Sequence, residues 1–139
     1  MSFVTTTVKD TVVSDGANGG LVTVKVIFDN DTADNLILNG DALSGFANGA
    51  KLHLTRAWWA LTQGTAAANT GDLIVKFIGA SANVVALQLA GTGHYDGTAG
   101  KILGSATNTT ATSSDINGQT RGTSGYCILE FRKGSGYTA

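Results

Sequence analysis

Proline is absent from the sequence, cysteine and glutamate occur once each, and only 14% of the residues are Asp, Glu, Lys or Arg. Each shortage excludes something. With no X-Pro bond, refolding has no proline-limited phase of tens of seconds. Cys127 alone can neither close an internal disulfide nor supply a cysteine metal cluster, so packing must hold the fold, as suits a reducing compartment. The charged fraction is well below the roughly 25% of an average domain, and the net charge is −1. A polar but weakly charged exterior offers little repulsion between subunits, which favours packing against copies or a scaffold. The nine Lys and Arg are scattered from Lys9 to Lys133 and form no cluster able to neutralise several phosphates, which argues against a nucleic-acid partner. No apolar run approaches the roughly 20 residues of a membrane span, and the opening MSFVTTTVKD lacks the basic start and apolar block of a secretory signal. The chain therefore reads as soluble and unexported, with no membrane partner, and the sequons at Asn30 and Asn108 read as chance.

What is present points to strands. Val, Thr and Ile abound beside 19 Gly, a composition suited to pleated surfaces and tight turns rather than helices. At 139 residues the chain is expected to form a single domain, 1–139, with an extended amino-terminal segment over 1–15 and a frayed tail over 134–139. Leu21 to Phe28 alternates Val22, Val24, Val26 and Phe28 against Leu21, Thr23, Lys25 and Ile27, the pattern of a half-buried antiparallel strand. Tyr126 to Arg132 likewise sends Cys127, Leu129 and Phe131 inward and Tyr126, Ile128, Glu130 and Arg132 outward. Shorter strands are expected at Phe3 to Val8, Asn35 to Leu38 and Lys101 to Leu103, and a hairpin joins Asp72–Ile78 to Asn83–Ala90. Leu43 and Phe46 sit in a connection that folds back onto the sheet. The Asn-Gly steps at Asn18, Asn39, Asn48 and Asn117 mark reversals. Gly91 to Gly100 reads as a flexible loop, and Gly104 to Gly125 as a long arm with at most a brief strand at Asp115 to Asn117. The sum is an all-β, antiparallel β-sandwich, jelly-roll-like, of about eight strands, with a closed barrel as the next choice.

Lys51 to Leu61, KLHLTRAWWAL, is the longest two-faced segment. Unbroken alternation puts Leu52, Leu54, Trp58 and Ala60 on one face, interrupted by Arg56, and His53, Thr55, Ala57, Trp59 and Leu61 on the other. One tryptophan must point each way. With Trp58 inward, Trp59 is left to face a second layer or a partner, and with Trp59 inward, Trp58 covers an end of the sandwich.

No catalytic set is legible. Asp29, Asp31 and Asp34 crowd one turn, but Ala33 and Gly40 stand where an EF-hand needs ligands, so a solvated turn is favoured over a cation site. His94 and Asp96 can act as acid and base in principle, yet no nucleophile elbow or phosphate loop accompanies them. His53 has no second ligand at metal spacing, and Cys127 has no activating neighbour. The chain is read as a non-enzyme without cofactor or metal. Trp59, Tyr95 and Tyr126 are the candidate binding residues, as a protein interface or as a platform for a sugar ring, and Arg121 joins them as a candidate interface residue.

The runs WWAL, GDLIVKFIG, VVALQLAGTGHY, SDI and GYCILEFRK, spread over Trp58 to Lys133, resemble the small β-sandwich head decoration or cement proteins of tailed bacteriophages, particularly those of marine and cyanobacterial phages. These are strand-and-turn patterns rather than catalytic signatures. The resemblance implies a jelly-roll-like protein made in the host cytoplasm and bound to the virion's capsid surface between major capsid protein subunits. It also implies a homo-oligomer, with a trimer favoured, whose contacts resist internal DNA pressure. The alternative is a carbohydrate- or receptor-binding sandwich module.

Overall fold

The computed structural model describes residues 3–10, 20–29, 33–43, 45–46, 50–63, 71–78, 83–100, 102, 115–134 and 137. Among these lie nine strands: β1 (Phe3–Asp10), β2 (Leu21–Phe28), β3 (Asn35–Leu38), β4 (Leu52–Gln63), β5 (Asp72–Phe77), β6 (Val84–Ala90), β7 (Thr92–Tyr95), β8 (Ile116–Arg121) and β9 (Thr123–Lys133). One 3-10 turn, Gly40–Ala42, follows β3. The strands form a five-stranded sheet in the order β1-β2-β9-β4-β7 and a four-stranded sheet in the order β3-β8-β5-β6, and every pairing is antiparallel. The all-β sandwich is therefore confirmed.

Its topology follows from four pairings. β2 pairs with β9, β3 with β8, β4 with β7 and β5 with β6, so the chain from β2 to β9 is one long double-stranded ribbon folded at the β5–β6 hairpin. Rolling that ribbon up brings β4 beside β9 and β5 beside β8, which completes both sheets. This is a jelly roll, with β1 added outside β2.

Sheet-to-sheet packing holds it together. Val22, Val24, Val26 and Phe28 of β2, Cys127, Leu129 and Phe131 of β9, and Leu73, Val75 and Phe77 of β5 are all buried in one core. Each such valine, leucine or phenylalanine contributes about 1.5–3 kcal/mol by leaving water. The alternations expected for β2 and β9 are those observed, as are the bounds of β3, and the β5–β6 hairpin is present with each strand one residue shorter than expected. Leu43 is buried and Phe46 bridges to Tyr137, so that connection does fold back onto the core.

Several expectations are corrected. β4 does not alternate evenly: its register against β9 shifts between Leu54 and Arg56, leaving Thr55 as an extra residue. This β-bulge reverses the phase. Leu52 and Leu54 face the core before it, while Ala57, Trp59 and Leu61 do so after it. Gly91–Gly100 contains strand β7 rather than only loop, and β8 and the start of β9 occupy most of 116–125, within the arm expected over 104–125. Asn117-Gly118 is not a reversal but lies in mid-β8, where Gly118 is buried. A Cβ there would stand 2.6 Å from Ile37 Cδ1 and 3.0 Å from Phe3 Cε2, so the glycine admits close packing rather than a turn. Within the tail expected to fray, Tyr137 is anchored. Tyr137 is completely buried, its hydroxyl donates to the Gly40 carbonyl at 2.7 Å, and its ring meets Phe46 edge-on at 5.9 Å. The Lys133 ammonium lies 5.6 Å from the same ring centre.

Of the remaining expected elements, Ile102 alone of 101–103 is described, bridging to Leu54. Residues 11–15, the Asn-Gly steps at 18 and 48, and residues 64–70 lie outside the described residues.

Candidate functional site

The two sheets turn very different outer faces to the surroundings. On the five-stranded sheet, register aligns Val4 with Ile27, Ile27 with Tyr126, Tyr126 with Ala60 and Ala60 with Thr92. Because Val26, Phe28, Cys127, Trp59 and Leu61 point to the core, these intervening residues point away from it. Val4, Ile27 and Tyr126 are 53%, 51% and 44% exposed. The next row runs Thr6, Lys25, Ile128, Trp58, His94. An apolar band therefore crosses the sheet, with Lys25 the one formal charge within these two rows. Beyond it the face becomes charged: Glu130 accepts a hydrogen bond from Thr55 Oγ1 at 2.9 Å and pairs with Arg56 at 3.7 Å, and Arg132 follows one row on.

The outer face of the four-stranded sheet is bound into polar networks. Arg121 grips Asp72 with Nε at 2.8 Å and a terminal nitrogen at 2.5 Å, and Gln88 donates to the same carboxylate. The Asp72 carboxylate beside it raises the Arg121 pKa above its ordinary value. Lys76 bonds Asp34 at 2.8 Å and Gln119 at 3.0 Å. The row that crosses this face, Leu36, Asn117, Lys76, Val85, has aliphatic side chains only on its two edge strands. Polar groups separate them.

The sequence-predicted residues divide accordingly. Tyr126 lies at the centre of the apolar band. Trp59 does not face outward: it packs against the core and its Nε1 donates to the Ala90 carbonyl at 3.0 Å. The tryptophan on the outer face is Trp58; sequence reasoning gave Trp59 the inward position only in its second reading, which set Trp58 over an end of the sandwich. Tyr95 also packs against the core, and its hydroxyl donates to the Gly100 carbonyl. Arg121 lies on the opposite sheet, committed to Asp72. Val4 and Ile27 were not singled out, although their outward phase beside Val24 and Val26 was legible.

The other constellations do not assemble into a reaction centre. Asp96 accepts a hydrogen bond from the Thr98 amide at 3.1 Å, which lowers its pKa, and makes none with His94. Asp34 pairs with Lys76, and Asp29 accepts from Ser124 at 3.2 Å, so these two carboxylates serve separate partners. Asp31 lies outside the described residues. Among the described residues no group of three His, Cys, Asp or Glu is arranged to hold a metal ion. Burial pushes the Cys127 thiol up to about 12.

Among the described residues, shallow clefts are open to solvent. One of about 440 Å³ lies between the edge strands β1 and β3, lined by Thr5, Thr7, Leu36, Leu38 and Leu43 among others. Another, of about 310 Å³, is lined by Arg56, Arg132, Glu130, Asp96 and Thr55, where carboxylates offset the arginines.

No family model matches the chain, and comparison with curated proteins and with solved structures found no match. The class that the fold defines is an all-β jelly-roll sandwich whose five-stranded sheet carries an apolar band across its outer face, while the exposed aliphatics of the four-stranded sheet, Leu36, Val84 and Val85, lie on its edge strands.

Proposed function

We propose that the chain is a structural virion protein, a capsid decoration or cement protein that lies on a phage head against major capsid protein subunits. The observation that carries this reading is the contrast between the outer faces. A protein that ends a layered shell must attach by one surface and meet water with the other. Here the apolar band of Val4, Ile27, Tyr126, Ile128 and Trp58 is suited to attachment, because exposed contiguous apolar surface marks interaction sites. The networks of Asp72, Arg121 and Gln88 and of Lys76, Asp34 and Gln119 are suited to solvent. A charged fraction of 14% supports dense packing of subunits. Mass spectrometry of purified particles tests the idea: the chain is expected as a multi-copy component that rebinds heads stripped of it. Its absence from particles, together with no binding to bare heads, would refute the proposal.

A second reading draws on the same face. Trp58 and Tyr126 project outward from adjacent strands, diagonal to one another, and form an aromatic surface on which a sugar ring can stack. Glycan-array binding that is lost in Trp58→Ala supports this reading, and an array without hits removes it.

A further inference from the structure

We propose that, before it meets any other partner, the apolar outer face of the five-stranded sheet is covered by a second copy of this chain, packed face to face about a two-fold axis that runs along β9. The inference rests on the reading of this face as a packing surface and names the occupant. Three observations support it.

The first is that the sheet edges are poorly suited to association. β1 carries a register shift beside Val8, β3 and β7 have four residues each, and β6 shifts register opposite Val75 and Lys76 while Trp59 occupies its Ala90 carbonyl. Short and bulged edges discourage strand-to-strand pairing. Faces are left for the purpose, and only one of them is apolar across its width.

The second is size. Five strands spaced at about 4.8 Å and eight residues rising about 3.3 Å each give a whole-face footprint of roughly 24 by 26 Å, or about 600 Å² per copy, of which the two apolar rows fill about half and the rows of Glu130 and Arg132 the rest. Two such faces together reach about 1,200 Å², where stable interfaces begin.

The third is self-complementarity. An axis along β9 lays β2 of one copy over β4 of the other at the same level, because both strands flank β9 in register. Ile27 then meets the small Ala60, and Lys25, which has no ion-pair partner among the described residues, meets the face of Trp58. Bulk opposes space and a cation opposes an aromatic ring. Tyr126 and Ile128 meet their own counterparts on the axis. Closure is two-fold, in place of the threefold assembly that the family resemblance implies.

Sedimentation equilibrium of the full chain is expected to show a species of twice 14.1 kDa. Ile27→Asp, at an exposed position, is expected to weaken the pairing by about a hundredfold or more, while Leu36→Asp on the other sheet leaves it unchanged. Because Cys127 is buried, Tyr126→Cys provides an independent test. A short bis-maleimide, able to span the roughly 10 Å between facing sheets that a disulfide cannot, is expected to cross-link it into a covalent pair, and Leu36→Cys is expected not to cross-link. A chain that stays monomeric at millimolar concentration overturns the inference, as does an oligomer broken by Leu36→Asp but not by Ile27→Asp. A monomer that still binds particles through this face overturns the pairing and leaves the decoration reading standing. A pair that dissociates with Ile27→Asp yet never binds particles does the reverse.

Discussion

Replacing Tyr137 tests whether the last residues belong to the core. The ring is fully buried, stacks edge-on against Phe46, covers Lys133 and donates a hydrogen bond to Gly40. Tyr137→Ala removes all of these at once, and aromatic-to-alanine changes in a core cost about 3–5 kcal/mol. Tyr137→Phe keeps the ring and deletes one hydrogen bond, a loss of about 0.5–1.5 kcal/mol. The Gly40 carbonyl retains the Leu43 amide at 3.4 Å, which places Tyr137→Phe toward the lower end of that range. Urea unfolding followed by tryptophan fluorescence measures both, since unfolding exposes Trp58 and Trp59. With a slope of about 2 kcal/mol per molar urea, the Ala variant should unfold about 2 M earlier and the Phe variant about 0.3 M earlier. If Tyr137→Ala lies within about 0.5 kcal/mol of wild type, the residue is a surface ornament and the anchoring of the tail is wrong.

Other outcomes follow from single residues. Gly125 has φ +148°, and a Cβ there would lie 2.1 Å from the Ala60 carbonyl oxygen, so Gly125→Ala should lose more than about 2 kcal/mol or fail to fold, as read by thermal unfolding. The Cys127 thiol, raised from about 9.0 to about 12, is neutral in the folded chain, so its contribution is complete below pH 9 and is lost as pH climbs toward 12. Urea midpoints measured across that window should therefore fall less steeply in Cys127→Ala than in wild type, and identical slopes would contradict the burial. Arg121→Ala should lower the melting temperature, by taking the guanidinium from the buried Asp72 carboxylate, without changing the oligomeric state. A change in association instead would restore Arg121 as an interface residue. Refolding from dilute denaturant should show no phase of tens of seconds, because the chain has no proline.

Much of this architecture was legible because β2 and β9 obey period-two alternation without exception, and they form the middle of the larger sheet. The strands that escaped notice carry glycine where a neighbour needs the space. Gly93 in β7 lies beneath the Trp59 ring and Gly118 in β8 beneath Ile37, and both looked like loop punctuation. The bulge at Thr55 explains the misplaced tryptophans. Arg56 among the expected inward residues was the one sign of a phase change, since a charged side chain in the core phase is costly. The apolar face itself could not be recognised from β4 alone. It appears only when β1, β2, β9 and β4 are set in register, which brings together Val4, Ile27, Tyr126 and Ala60 from distant parts of the chain.

The central claim is that this face is where the protein attaches. Co-sedimentation with stripped phage heads measures it most directly, comparing wild type with an Ile27→Asp/Tyr126→Asp double variant and with Leu36→Asp. The account predicts that wild type and Leu36→Asp pellet with the heads while the double variant, still folded by circular dichroism, stays in the supernatant. Pelleting of the double variant at the wild-type level, or loss of binding only in Leu36→Asp, would contradict it.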